Sequence, residues 1–186
     1  MITTSWAIHI GTAEMIKKET KSTIIKSIQQ IINTYHGCSF KIKNVLGDQH
    51  VKCIRRTMDA KGINLNITGR DEHVPETESF IQTVKERTRV IVNTLPFNIL
   101  PSRLVIRVLY NAMFWLNCFP HKDGIHAAMS PCSVVTGSNI DYNKHSKLQF
   151  GAYVQVHKQL NNSMLPCTSG AIVLQPTHNT QGATIS

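Results

Sequence analysis

Acidic residues are scarce in this chain. Eleven Asp and Glu stand against twenty Lys and Arg, leaving a formal charge of +9 and a pI near 9.5. The first 47 residues contain no aspartate, and Glu14 and Glu19 are their only acids. Such a balance favours a polyanionic partner, with nucleic acid ahead of an anionic membrane. A basic face that only keeps the chain in solution is the competing reading. Long apolar runs are also missing. Residues 104–119 are the most apolar stretch, but Arg107, Asn111 and Asn117 interrupt it, and it falls short of the roughly 20 residues a membrane-spanning helix needs. Residues 1–10 lack the basic start and apolar run of a signal peptide. The chain is therefore expected in the nucleus or cytoplasm, not secreted, and the sequons at Asn66 and Asn161 carry no meaning. Five cysteines at irregular spacing fit reduced thiols better than a disulfide framework. No internal repeat, low-complexity run, phosphate-cradling glycine loop, nucleophile elbow or Cys/His protease pairing is visible. A small-molecule cofactor is accordingly not expected.

What is present suits one soluble domain. With 186 residues, 41% of them hydrophobic, the chain can bury a real core. Residues 6–16 mix β-formers and read as a strand leading into a helix. Thr20 or Ser22 can cap a helix to about Tyr35, with Ile24, Ile28, Ile31, Ile32 and Tyr35 on its apolar face and Gly37 ending it. Phe40 and Ile42 alternate with lysines, predicting a strand that continues through Val45 to Asp48. Residues 51–61 read as a short basic helix closed by Gly62, and Ile63, Leu65 and Ile67 as the next strand. A charged loop at 69–75 leads to Pro75, suited to the first turn of a helix reaching about Asn93. Phe80, Ile81, Val84, Thr88 and Ile91 form its buried stripe. After a two-proline turn, Ser102 can cap a helix whose Val105, Val108, Leu109, Ala112, Met113 and Leu116 are apolar, with Phe114 and Trp115 also core residues. A short helix at 130–137 and a strand at 148–156 follow. Residues 1–157 are thus expected as the domain, and 158–186 as a polar tail or the start of a further module. The alternation of elements indicates an α/β layer fold.

Three constellations could carry chemistry. Asp48 at a strand end and Glu78 on a helix can meet in space although far apart in sequence, and two such carboxylates can hold a divalent metal. Glu76 is the rival acid, but it points roughly 160° away from Glu78 on the helix. Glu78, Gln82, Lys85 and Arg89 share one helix face, suited to binding a metal and then tracking phosphates, or to an ordinary solvated surface. Lys17, Lys18, Lys21, Lys26, Lys41, Lys43, Lys52, Arg55, Arg56 and Lys61 face only Glu19, Asp48 and Asp59 over the same interval. Most of the net charge therefore sits here, and contacts of this kind neutralise phosphates without reading bases. Cys118, His121, His126 and Cys132 have zinc-ligand chemistry, but their spacing fits no common zinc module.

The strings "LGD", "GINLNITGRDEHVPETESFIQTVKER", "NTLPFNILPSRLVIRVLYNAMFWLN", "SPCSVVTGSNIDYNKHSKLQFGAYVQVH" and "GAIVLQPTHNTQG" resemble the integrase core of copia-type LTR retrotransposon polyproteins, from about Thr12 to Gly182. The resemblance implies a ribonuclease H-like fold: a mixed sheet flanked by helices in three layers. It also implies a DNA-integrating polynucleotidyl transferase in which three carboxylates hold two Mg²⁺ (or Mn²⁺) ions. Metals about 4 Å apart would activate the attacking hydroxyl and stabilise the leaving oxygen. On this resemblance Asp48 matches the second acid and Glu78 the third, with Gln82, Lys85, Arg89, Lys52, Arg55 and Arg56 contacting DNA. The family's first Asp lies on the first sheet strand, and no aspartate precedes Asp48. Gln49-His50-Val51 also stands where the family has Gly-x-Phe, and Ser79 and Gln82 replace residues that are often Arg. The chain is therefore expected to begin after the first strand and to be a degenerate core with an incomplete metal site. It would bind nucleic acid without cutting it, or pair with another copy through the exposed sheet edge.

Overall fold

The structure is a computed structural model describing residues 1–69, 74–97, 99–158, 164, 166–176 and 184–185. It is a mixed α/β chain in which helices outweigh strands. The chain opens on a hairpin, β1 (Ile2–Thr4) and β2 (Gly11–Ala13), paired antiparallel with Thr3 opposite Thr12. This differs from the single strand and helix expected over residues 6–16. The turn is closed by the His9 N–H to the Ser5 carbonyl (2.9 Å) and the Ser5 N–H to the Ile10 carbonyl (3.0 Å). It leaves Ile8 and Ile10 buried and Trp6 exposed.

Helix α1 (Lys21–Gly37) starts where Thr20 accepts from the Thr23 N–H and Thr23 reciprocates, so the earlier of the two expected caps is the one used. Its Ile24, Ile28, Ile32 and Tyr35 are buried at helical spacing. Strand β3 (Asn44–Gly47) is shorter than expected: Phe40 and Ile42 contribute half-buried side chains to the core but lie before the strand. A 3₁₀ turn (Gln49–Ile54) then runs directly into α2 (Arg55–Asp59). Gly62, at φ +69°, reverses the chain into β4 (Asn64–Ile67). Strands β3 and β4 pair in parallel, Val45 opposite Leu65, with the helical segment as their crossover. The first core forms here: Ile24, Ile28 and Ile32 meet Ile54, Met58, Ile63 and Leu65. Ile54 is 0% exposed and Met58 1%.

Helix α3 (Pro75–Thr94) has Pro75 in its first turn with Glu76 and Glu78, acids that favour a helix N-terminus. Of the expected stripe, Val84 is fully buried and Phe80, Ile81, Thr88 and Ile91 are partly so. Helix α4 (Ser102–Cys118) packs against α3 and buries Val108, Ala112 and Met113. Ser102 does not cap it. Pro101 takes the cap position, and its carbonyl accepts from Leu104 and Val105. The β1–β2 hairpin lies over α3 and α4. Asn117 fixes that docking by bonding both polar groups of the Gly11 backbone, at 2.8 Å each. A side chain at Gly11 would collide with the Phe80 ring and the Met113 sulfur. A second small core joins the parts: Ile8 and Ile10 of the hairpin, Tyr35 of α1 and Val135.

Helix α5 (Pro131–Thr136) is capped by Ser130 and ended by Gly137 at φ +70°, as the sequence indicates. Helix α6 (Tyr142–His145) starts from the Asp141 cap. Strand β5 (Tyr153–His157) pairs antiparallel with β6 (Thr168–Ile172). Strand β5 overlaps the strand expected at 148–156, while its partner β6 lies in the stretch expected as a polar tail. Gln175–Pro176 (β7) pairs with Thr184–Ile185 (β8) and lies against α4. Among the described residues the strands therefore form four two-stranded sheets. No helix among them is long and apolar enough to cross a membrane.

Candidate nucleic-acid interface

The crossover between β3 and β4 fixes the basic residues by burying their neighbours. Ile54 and Met58 point into the first core and Val51 packs against it. Lys52, Arg55 and Arg56 must then face outward, and all three are exposed. No described carboxylate pairs with them. The one ion pair between described residues joins Lys144 to Asp141, at 3.7 Å. Lys41 and Lys43 before β3 and Lys61 after α2 are exposed as well. Unpaired cations on a short rigid segment form a surface that a phosphate backbone can approach without displacing an internal partner.

Asp48 sits at the carboxyl end of β3, beside the carboxyl end of β4, where open α/β sheets place their ligands. Thr68 closes this edge by donating its N–H (3.0 Å) and hydroxyl (3.3 Å) to the Gly47 carbonyl. The Asp48 carboxylate is exposed and accepts the His50 N–H at 3.0 Å, capping the 3₁₀ turn. Glu78 is exposed on the first turn of α3. No hydrogen bond joins it to Asp48, and among the described residues no group of three or more His, Cys, Asp or Glu could hold a metal ion. Asp71 and Glu72, in the charged loop before α3, lie outside the described residues.

The second cationic face is on α3. Glu78, Gln82, Lys85 and Arg89 are all exposed along the helix, as their spacing requires. The Gln82 amide donates to Glu86 Oε1 at 3.1 Å. At the far end of this face, the α3–α4 turn opens a groove of about 390 Å³ bordered by Arg89, Asn93, Phe97 and Val105. Phe97 and Asn93 carry no sequence signal of their own. Only the two-proline turn marks the place where they meet.

The Cys/His constellation does not assemble. Cys118 is buried and Cys132 half-buried, while His121 and His126 are exposed in the α4–α5 loop. Each of these imidazoles accepts a local backbone N–H at its Nδ1, from Asp123 and Ala128 respectively, at 3.2 Å. His121 also stacks on His9, with centroids 4.0 Å apart, tying that loop to the β1–β2 turn. Burial raises the Cys118 pKa, with the neighbouring Cys132 adding to it. Burial likewise pushes Cys132 up to about 11, with Cys38 nearby as the smaller cause. A raised pKa keeps these thiols protonated, the less reactive form. No protein-family model matches the chain, and no curated protein matches it.

Proposed function

We propose that the chain is a nucleic-acid-binding, non-cutting relative of the copia-type integrase core, descended from a ribonuclease H-like plan. The observation that carries this reading is the exposed, unpaired row of Lys52, Arg55 and Arg56 on a crossover held rigid by buried Ile54 and Met58. Lys85 and Arg89 on α3 supply a second row of cations. Such surfaces bind DNA through its phosphates, with steep salt dependence and little base preference. A second copy of the chain is the other proposed partner, because two-stranded sheets leave open edges to which a strand can add.

One observation favours a catalytic reading: Asp48 is exposed at the carboxyl edge of two parallel strands. In that reading Asp48 and Glu78 are the acids facing Mg²⁺ or Mn²⁺. Two assays on the full chain separate the readings: duplex binding at rising salt, and strand transfer with either metal. Salt-sensitive binding without strand transfer is expected. Strand transfer abolished by Asp48→Asn supports the catalytic reading instead, and absence of duplex binding at low salt refutes both.

A further inference from the structure

The α3–α4 groove brings together three kinds of recognition group. The Arg89 guanidinium and the Asn93 amide lie on successive turns of one helix, neither with a hydrogen-bond or ion-pair partner among the described residues. Phe97 stands in the same concavity, 41% exposed. Leu100, Val92 and Val105 line the rest as an apolar floor, and Lys85 lies one helical turn back from Arg89. A flat apolar ring, a neutral amide with both donor and acceptor atoms, and a free cation are the groups a single nucleotide needs. The ring stacks on the base, the amide meets the base edge, and the cation neutralises the phosphate.

We infer that this groove is a subsite for one unstacked base of single-stranded DNA. The inference rests on the nucleic-acid reading above and extends it, because duplex DNA keeps its bases stacked and can use only the cationic rows. An acidic peptide is the less favoured occupant: one lining cation would serve it, but the unpaired Asn93 amide beside the ring would gain nothing specific. The expected division of labour is that Lys52, Arg55 and Arg56 act on any DNA, while Phe97 acts on single strands alone.

The test compares fluorescence anisotropy of a labelled oligothymidine, the same-length duplex and the matching oligouridine for the full chain and for Phe97→Ala. Loss of one base–aromatic stack predicts about fivefold to a hundredfold weaker oligothymidine binding, with duplex binding unchanged. Phe97→Trp should restore the single-strand affinity, and circular dichroism of each variant checks that it folds. Equal weakening of duplex and single strand, or no weakening of either, overturns the subsite while leaving duplex binding by the basic rows intact. Tighter binding of oligouridine than oligothymidine overturns the assignment to DNA, and so does displacement of the oligothymidine by an acidic peptide that binds the groove more tightly. If the unmodified chain binds neither strand nor duplex, the underlying nucleic-acid reading fails with it.

Discussion

Removing the cationic row of the crossover offers the most direct test of how this surface works. In a Lys52→Ala, Arg55→Ala, Arg56→Ala variant, three exposed cations disappear while Val51, Ile54 and Met58 keep the segment anchored. None of the three makes an ion pair with a described residue, so no carboxylate is left orphaned. Exposed changes of this kind shift stability by only about 0.5 kcal/mol each. The binding effect is larger and has a characteristic form. Each phosphate neutralised contributes about −0.9 to the slope of log K against log salt. If all three residues touch phosphates, the variant's slope should be shallower by about 2.7. Over the fourfold salt range from about 50 to 200 mM, the parent should then lose roughly 40-fold more affinity than the variant. Anisotropy titrations of a duplex at several salt concentrations measure this. A control removing Lys122, Lys144 and Lys147 has the same charge change elsewhere on the surface and should leave most of the slope in place. A triple variant with the parent's slope, or a control that flattens it equally, would refute the localisation: only net charge would then matter.

The packing sets four further outcomes. Ile54→Ala and Met58→Ala each empty a fully buried site shared by α1, α2 and β4, and each should cost about 2–5 kcal/mol in urea unfolding. Asn117→Ala leaves both backbone groups of Gly11 without their partner and should cost about 1–3 kcal/mol. A smaller loss than this would mean that water replaces the amide. The raised Cys118 and Cys132 pKa values mean that the folded chain holds these thiol protons more tightly than the unfolded chain does. Their contribution to stability is therefore complete below pH about 8.5 and is lost as pH rises towards and through about 11. Melts across this range should show the decline. Alkylation at pH 8 should modify exposed Cys53 and Cys167 well before Cys118 and Cys132.

Local chemistry carried much of the fold into the sequence. The 3.6-residue spacing of Ile24, Ile28 and Ile32, the Thr20 cap, Pro75 at a helix start and Gly137 after one each depend on near neighbours, and each stands where its pattern indicates. The opening hairpin was not legible in that way. It turns on a left-handed His9, at φ 57°, a conformation no local pattern announces for histidine. Asn117 reads as a polar break in an apolar run, but its amide completes a strand that comes more than a hundred residues earlier. The β5–β6 hairpin was missed for a similar reason: Thr168–Ile172 is too polar and too short to stand out, and pairing with Tyr153–His157 defines it.

The candidate site divides along the same line. Sequence alone established the cationic excess and the shared face of Glu78, Gln82, Lys85 and Arg89. Each of these follows from residue type and helical period, both local properties. Tertiary structure decided that the Asp48 carboxylate is bonded to the His50 N–H, that the Gln82 amide is bonded to Glu86, and that Arg89 shares a groove with Phe97. Those outcomes depend on how separate elements pack, and a distance between packed elements is written into no single stretch of chain.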